Sequence, residues 1–266
     1  MKPIEFRKKS NLGIYGLYLL VRYEFKVFFE NKGTLLNQLV TPTLYFIFIC
    51  LGINRINNEV IYFGDKVTYL EYSFTGIVII IIMSQMSQTI YRTTIDKRYG
   101  LLTLKILSGV RPSYYILGMS TYSVLGLLFQ ESVLIIIASL FGVNFTFHKI
   151  IMLIASSVLI LMFWSAIAVV ITLRINNYEV RDNIISFVLT PLGFTAPVFY
   201  VLEYVPSWMQ FIAKINPVTY QLGAIRSGFF EGIYMQPIFI LIILLCLSVY
   251  ISSLLITKAD LKLNEY

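Results

Sequence analysis

NIISFVLTPLGFTAPVFYVLEYVPSWMQFIAKINPVTYQLGAIRSGFF, from Asn183 to Phe230, begins like a membrane helix. Pro191 and Pro197 are predicted to break that helix, because proline lacks the backbone N–H and clashes with the preceding turn. Two apolar pieces of about 10 and 13 residues follow, on either side of Asn216-Pro217, and each repeats apolar residues at helical spacing. Each is too short to cross a bilayer, which needs about 20 residues.

The pattern after the second proline therefore predicts a re-entrant helical hairpin over residues 205–230. Irregular backbone at membrane depth survives only where protein or a water-filled cavity supplies its hydrogen-bond partners. Such a hairpin would shape the outer mouth of a pathway. An amphipathic loop that lies on the membrane surface is the alternative that the pattern leaves open.

The composition points to a membrane protein. Of the 266 residues, 58% are hydrophobic and 13% are charged, and the mean hydropathy is +0.77. A soluble domain carries about 25% charged residues. We predict an all-α polytopic membrane protein that forms a single domain over residues 1–266, without a signal peptide. Cys50 and Cys246 lie in apolar runs and are interpreted as small buried hydrophobes rather than a disulfide or a metal pair.

Six apolar segments are predicted to cross the membrane. They cover residues 35–53, 72–91, 114–141, 150–173, 183–200 and 237–256. Residues 1–33 precede them as a cytoplasmic segment with a basic start and an amphipathic helix that lies in the membrane interface, since charged residues interrupt its apolar face. Residues 92–113 form a basic segment between the second and third spans.

The distribution of positive charge sets the orientation. Of the 21 Lys and Arg residues, 16 lie on the side that holds both termini and 5 lie on the other. Because cytoplasmic loops carry the excess of Lys and Arg, both termini are predicted to be cytoplasmic. The net charge of +7 is thus a topology signal, and we expect no nucleic-acid partner.

The residues offer little for catalysis. The single histidine, His148, falls in a predicted outer loop, and the sequence has no H-E-x-x-H, G-x-S-x-G or G-x-x-x-x-G-K-[ST] motif. We therefore expect no catalytic residue, no metal and no cofactor in this chain. A transport process driven by ATP would need ATP and Mg²⁺ on a separate subunit.

Four polar side chains fall inside predicted spans. Gln85 and Gln88 share a face of the second span, and Gln130 and Glu131 lie together in the third. A charge at mid-membrane costs on the order of 3 kcal/mol, so Glu131 should be protonated, paired or facing a cavity. These four residues are candidates for the lining of a pathway. The alternative for Glu131 is that it reaches the polar headgroups from a tilted helix.

The basic segment 92–113 contains a short amphipathic pattern. Leu101 and Leu104 recur at helical spacing, whereas Lys97, Arg98 and Lys105 are expected to stay in water. A cytoplasmic helix of this kind could dock into a groove on a partner protein. A basic surface helix bound to anionic lipid is the alternative.

Two patches resemble the permease subunits of type-2 ATP-binding-cassette (ABC) exporters. DKRYG, over Asp96–Gly100, resembles the charged stretch that opens the family's coupling helix, although the family's Thr-Leu-Glu is replaced by Leu101–Thr103. VPSW, over Val205–Trp208, followed by INPVTY, over Ile215–Tyr220, and Arg226, is similar to its Pro-x-Trp…Asn-Pro-x-Thr-Tyr…Arg signature. The resemblance covers nearly the whole chain.

The resemblance implies a complex in the plasma membrane of a bacterium. Two permeases, copies of this chain or this chain with a sister permease, would each dock to an ABC ATPase subunit. Six residues would couple the chain to the ATPase: Asp96, Lys97, Arg98, Gly100, Leu101 and Leu104. Six would form the re-entrant gate: Pro206, Trp208, Asn216, Pro217, Tyr220 and Arg226. In the gate, Asn216-Pro217 would set the turn, and Arg226 would cap helix ends or reach the outer headgroups.

The class of cargo follows only from composition and resemblance. The many aromatic residues suit an amphipathic or lipid-like compound such as a drug, antibiotic or natural product. A polysaccharide or lipid-linked glycan of the teichoic-acid or O-antigen type is the alternative, and transfer of membrane lipid between leaflets is also open. An ATP-independent membrane enzyme or channel is the alternative from another class.

Overall fold

A computed structural model describes residues 12–56, 58–62, 64–175, 177–230 and 235–259. The basic start of the chain, with Lys2, Arg7, Lys8 and Lys9, lies outside the described residues, as does the charged tail after residue 259. The described part is almost entirely helical.

Ten helices, one 3₁₀ turn and one β-hairpin make up the described chain. They are α1 (Gly13–Glu30), α2 (Lys32–Leu44, Tyr45–Cys50 and Leu51–Ile56), β1 (Glu59–Tyr62), β2 (Asp65–Thr68), α3 (Tyr69–Arg98), α4 (Leu101–Leu107), α5 (Pro112–Leu140), α6 (Phe147–Arg174), α7 (Tyr178–Ile184, Ile185–Leu189 and Thr190–Thr195), a 3₁₀ turn (Leu202–Tyr204), α8 (Ser207–Ile215), α9 (Pro217–Phe230) and α10 (Met235–Lys258). The predicted loop at 54–71 contains the antiparallel pair β1–β2, with Val60 opposite Val67.

Five helices are long and apolar enough to cross a membrane. These are α2, α3, α5, α6 and α10. They confirm the predicted class, an all-α polytopic membrane protein. α7, which covers residues 183–195 of the predicted span 183–200, is not among them, and its first turns carry Glu179, Arg181 and Asp182. The number of spans stays a prediction.

α3 lies at the centre of the bundle. Its 30 residues pack against α5, α6 and α9, and apolar side chains such as Phe74, Ile77 and Ile82 are fully buried. The helix continues from the predicted second span to Arg98. The helix therefore has no break at residue 92, where the prediction placed the boundary between the second span and the basic segment.

Pro191 does not break α7, contrary to the prediction. A π-helical turn, Ile185–Leu189, precedes Pro191, which lies in the first turn of Thr190–Thr195. A wide turn of this kind accommodates a local defect in the helical hydrogen-bond ladder, and the helix continues. Pro197 has the predicted effect: Ala196 before it is extended, with ψ 148°, and α7 ends at Thr195.

Residues 196–201 form a non-helical segment, here called the connector, that crosses the start of α3. Gly76 of α3 permits this crossing, because a Cβ atom there would lie 2.4 Å from the carbonyl oxygen of Val198. By contrast, a Cβ atom at Gly52 in α2 would meet no atom within 4 Å. Backbone cannot move aside as a flexible side chain can.

We expect Gly76→Ala to lower the stability of the purified protein by about 1–3 kcal/mol, because the added methyl group overpacks against fixed backbone. Gly52→Ala is the matched control and should be neutral or stabilising, since alanine favours a helix over glycine by about 1 kcal/mol. Thermal unfolding in detergent measures both variants. Equal unfolding temperatures for the two would contradict the close crossing.

Candidate functional site

α4 presents two leucines to solvent. Gly100 adopts a left-handed conformation, φ 70°, which reverses the chain between α3 and α4. Leu102 and Ile106 lie on the buried face of α4, whereas Leu101 is 40% exposed and Leu104 is 53% exposed. Ile95, near the end of α3, and Tyr99, which follows α3, are also exposed. The predicted amphipathic helix is present, and these four residues are here called the α4 surface.

A buried ionic contact holds α4 against α3. Lys105 donates to the carboxylate of Asp96, and the hydroxyl of Tyr115 donates to the same carboxylate at 3.0 Å. Lys105 was expected to stay in water, and that expectation is wrong. Its ammonium group instead satisfies a carboxylate that would otherwise be buried unpaired, which fixes the position of α4 relative to α3 and α5.

A second ionic contact joins α1 to α3. Arg92 donates to Glu24, whose side chain is buried, and the Arg92 guanidinium lies 4.3 Å from the centre of the Tyr122 ring of α5. Burial raises the pKa of Glu24, and Arg92 opposes that effect. Sequence reasoning missed this pair, because 68 positions separate its partners and Glu24 is one of several charges on a predicted interfacial helix.

The other predicted coupling cations bind within the chain. Lys97 donates to the carbonyl oxygens of Leu173 and Ile175, at 2.8 and 2.7 Å, and so caps the end of α6. The Arg98 guanidinium lies 4.2 Å from the centre of the Tyr178 ring. Lys97 was also expected to stay in water, and that expectation is wrong. Of the predicted coupling residues, Leu101 and Leu104 face outward, whereas the charged ones brace the helices behind them.

The predicted pathway residues lie in two places. Gln85 and Gln130 are buried, and both donate to the Oε1 atom of Gln38 in α2, at 3.0 and 3.1 Å. Glu131 is 1% exposed, and the side chain of Ser157 in α6 lies close to its carboxylate. It does not reach the headgroups. Gln38, which sequence reasoning missed, joins α2, α3 and α5 inside the bundle.

Gln88 lies apart from that cluster, in a cleft of about 310 Å³ between α2, α3 and α7. The cleft has both polar and apolar walls: Thr41, Ser84, Ser87, Tyr45, Tyr91 and Phe194 contribute to its lining. π-helical turns of α2 and α7 border it, at Tyr45–Cys50 and Ile185–Leu189. An open space with this mixture of groups suits an amphipathic molecule.

The corner between α8 and α9 is fixed by Asn216. Its Nδ2 donates to the carbonyl oxygen of Leu192 at 2.7 Å and to Thr195 Oγ1 at 2.9 Å, and its Oδ1 accepts from Val218 N at 2.9 Å. Pro217 begins α9. Asn216-Pro217 therefore sets the turn, as the spacing predicted, and also attaches it to the end of α7.

The other gate candidates lie on the surface of this corner. Pro206 precedes α8, and Trp208 is exposed together with Phe211 and Ile215, which share its apolar stripe. Tyr220 is exposed, and its hydroxyl donates to the carbonyl oxygen of Lys214 at 2.7 Å. The stripe of α8 thus has no cover within the described part of the chain.

Arg226 is buried, at 2% exposure, and its guanidinium is bound within the described part of the chain. Its Nε donates to Thr75 Oγ1 at 3.2 Å, and its Nη2 donates to the carbonyl oxygens of Pro197 at 2.9 Å and Tyr72 at 3.3 Å. The guanidinium lies 3.6 Å from the centre of the Tyr72 ring. Arg226 thus supplies hydrogen-bond donors to the connector and to the start of α3.

Comparison with known proteins finds one matching family and several related transport permeases. The family described as "ABC-2 type transporter" matches residues 15–230. The "Inner membrane transport permease YadH" of Escherichia coli (strain K12) is 24% identical over 198 residues, which cover 74% of this chain and 75% of that relative. The "Putative transport permease ycf38" of Cyanophora paradoxa is 21% identical over 215 residues, which cover 80% and 73%. No solved structure matches the chain at a significant level.

The family match begins in α1 and ends at the last residue of α9, so it contains both patches that carry the resemblance to ABC exporters. Both relatives are transport permeases by name, and one is an inner membrane protein. Together with the five membrane-spanning candidates, these matches identify the chain as a multi-pass membrane protein. The chain belongs to the ABC-2 type transporter family and is a permease subunit, the transport component of such a transporter.

Proposed function

We propose that this permease exports an amphipathic or lipid-like compound, such as a drug, antibiotic or natural product, with ATP hydrolysed by a separate subunit. ATP and Mg²⁺ would bind to that ABC ATPase. A second permease, either another copy of this chain or a sister, would complete the pathway. The observation that carries the proposal is the α4 surface, an exposed apolar patch on a helix that buried ionic contacts brace against the spans.

The α4 surface would be the docking site for the ATPase. Leu101 and Leu104 supply the apolar contact that a helix laid into a partner's groove requires. Movement of α4 would reach α3 through Lys105 and Asp96, and α1 would follow through Arg92 and Glu24. Rigid contacts of this kind allow a displacement at the docking site to move the spans as a unit.

The proposed topology has six spans, namely α2, α3, α5, α6, α7 and α10, with both termini in the bacterial cytoplasm. α3 spans about 45 Å at 1.5 Å per residue. The α4 surface follows its last residue, whereas Arg226 and the connector contact its first turns, at Tyr72 and Thr75. The two regions therefore lie at opposite ends of α3. The α8–α9 corner would be the re-entrant hairpin at the outer face.

The cleft that contains Gln88 would be this chain's half of the pathway. Serine, threonine and glutamine side chains there offer hydrogen bonds, and Tyr45 and Phe194 offer apolar surface. A compound with both polar and apolar groups could therefore bind to the residues that line this cleft. A lipid-linked glycan shares that amphipathic character, so the choice between the two classes is an experimental one.

Purification of the tagged chain from its native membrane, with mass spectrometry of the proteins that copurify, tests the proposed function. A stoichiometric ABC ATPase supports it. ATPase stimulation in the purified complex by a panel of amphiphiles and of glycolipids then assigns the cargo class. Recovery of the permease without any ATPase, even after crosslinking, would favour an ATP-independent enzyme or channel.

We expect Leu104→Asp to weaken copurification of the ATPase by about tenfold or more. The docked ATPase would bury this side chain, and the substitution would place a charge without its hydration at that position. Ile56→Asp is the matched control. Ile56 is 87% exposed at the end of α2. The proposed topology places it on the outer side, so this change should leave the ATPase bound. If both variants retained the ATPase equally, the α4 surface would not be the docking site.

Glu24→Gln and Arg92→Gln should each lower stability by about 1–3 kcal/mol, and the double variant should lose less than the sum, because each single change leaves a buried partner unpaired. Thermal unfolding measures the cycle, and cargo-stimulated ATPase activity measures the coupling. The exposed pair Lys26–Glu30, 3.8 Å apart on the same helix, is the control, with a coupling energy of about 0.5 kcal/mol or less. Equal coupling energies in the two pairs would contradict the bracing role.

A further inference from the structure

A second pocket, here called the Arg226 pocket, lies between β1, the connector and α9. Its volume is about 310 Å³. The residues that matter for its chemistry are Tyr62, Tyr72, Glu203, Thr219, Gly223 and Arg226, all of which line it. The pocket is separate from the cleft that contains Gln88, since the two share no lining residue.

Arg226 is a buried cation without an anionic partner in the described part of the chain. The acceptors of its Nε and Nη2 groups are one hydroxyl and three backbone carbonyls, all neutral. The side chain of Tyr72, also neutral, is a further hydrogen-bond partner of the guanidinium, and no described carboxylate forms an ion pair with it. A buried charge in this state is costly unless an anion pairs with it.

A second donor in the pocket is unused. The hydroxyl of Thr219 is buried and has no hydrogen-bond partner among the described residues. The guanidinium lies 3.6 Å from the centre of the Tyr72 ring and 5.7 Å from that of Tyr62, so aromatic surface surrounds the charge. The pocket therefore combines a positive charge and a free hydroxyl donor with walls that can pack against an organic body.

We propose that the Arg226 pocket binds a phosphate group, either as the headgroup of a membrane phospholipid or as free phosphate. The guanidinium of Arg226 is a charged donor of the kind that phosphate oxygens accept from, and the hydroxyl of Thr219 is a further donor at the same pocket. The carboxylate of Glu203 shares the pocket and disfavours an anion, so it limits the affinity. Only the assignment of the pocket to the outer leaflet rests on the proposed function; the binding itself does not.

Two substitutions test the pocket without removing the arginine that holds the connector. A Cβ atom at Gly223 would meet no atom within 4 Å, so Gly223→Leu starts a side chain in open space at the pocket wall and places its remaining atoms in the pocket. Glu203→Gln removes the like charge. Gly52→Leu, at a glycine with equally open surroundings in α2, is the matched control.

The full-length permease is the sample. Equilibrium dialysis with radiolabelled inorganic phosphate, in a maltoside detergent that carries no phosphate group, measures free phosphate. Native mass spectrometry after reconstitution with phosphatidylglycerol measures retained lipid. We expect binding in at least one arm, a loss of about tenfold or more in Gly223→Leu, a gain of roughly two- to tenfold in Glu203→Gln, and no change in Gly52→Leu.

Phosphate bound in the dialysis arm identifies free phosphate as a ligand, and retention in the lipid arm alone identifies the lipid headgroup. Binding in neither arm, or binding that Gly223→Leu leaves intact in a protein with an unchanged unfolding temperature, would overturn the proposal. If Gly223→Leu does not fold, Glu203→Gln decides, since unchanged affinity in that variant overturns it. If the permease copurifies with an ATPase but binds no phosphate, only the phosphate-binding proposal is refuted. If it binds phosphate but recruits no ATPase, only the proposed transport function is refuted.

Discussion

The carbonyl oxygens of the connector need hydrogen-bond donors, and the arrangement at one end of the bundle follows from this need. Inside a membrane protein, non-helical backbone persists only where protein or water satisfies it. Arg226 donates to the carbonyl of Pro197, Tyr72 to that of Tyr200 and Tyr69 to that of Phe199. Three side chains thus hold a break in the helical pattern against the first turns of α3.

At the opposite end of α3, buried polar groups also have partners, and there the partners are charged. Asp96 is buried beside Lys105, and Glu24 is buried beside Arg92, so each carboxylate has a cation next to it. A buried charge is costly unless a partner of opposite charge lies beside it. Because these pairs come from α1, α3 and α4, they join the surface that faces the proposed ATPase to the helix that reaches the connector. α3 is one continuous helix, and it therefore connects the proposed ATPase docking site to the connector.

Much of the fold was predictable from local pattern. The apolar runs predicted a helical membrane protein, the spacing of Leu101 and Leu104 predicted an amphipathic α4, and Asn216-Pro217 predicted the corner between α8 and α9. These features depend on residues near one another in the chain. The roles of the site residues in coupling, gating and transport stay predictions.

Contacts between distant segments could not be predicted in this way. Lys105 and Lys97 look like solvent-exposed cations on a basic segment, and only the packing of α4 and α6 gives them partners inside the protein. Gln38 lies 47 positions from Gln85, and nothing in its neighbourhood marks it as a shared acceptor. The helix through Pro191 depends on a π-helical turn, which periodicity does not reveal.

In the proposed transporter, the α4 surface contacts an ABC ATPase. A photoreactive amino acid at Leu104, activated in intact membranes, tests this contact, with the same probe at Ile56 as the reference position. We expect a crosslinked product that contains this permease and an ATP-binding-cassette subunit at Leu104 and no such product at Ile56. Crosslinks from Leu104 to lipid alone, in membranes that contain the assembled transporter, would contradict it.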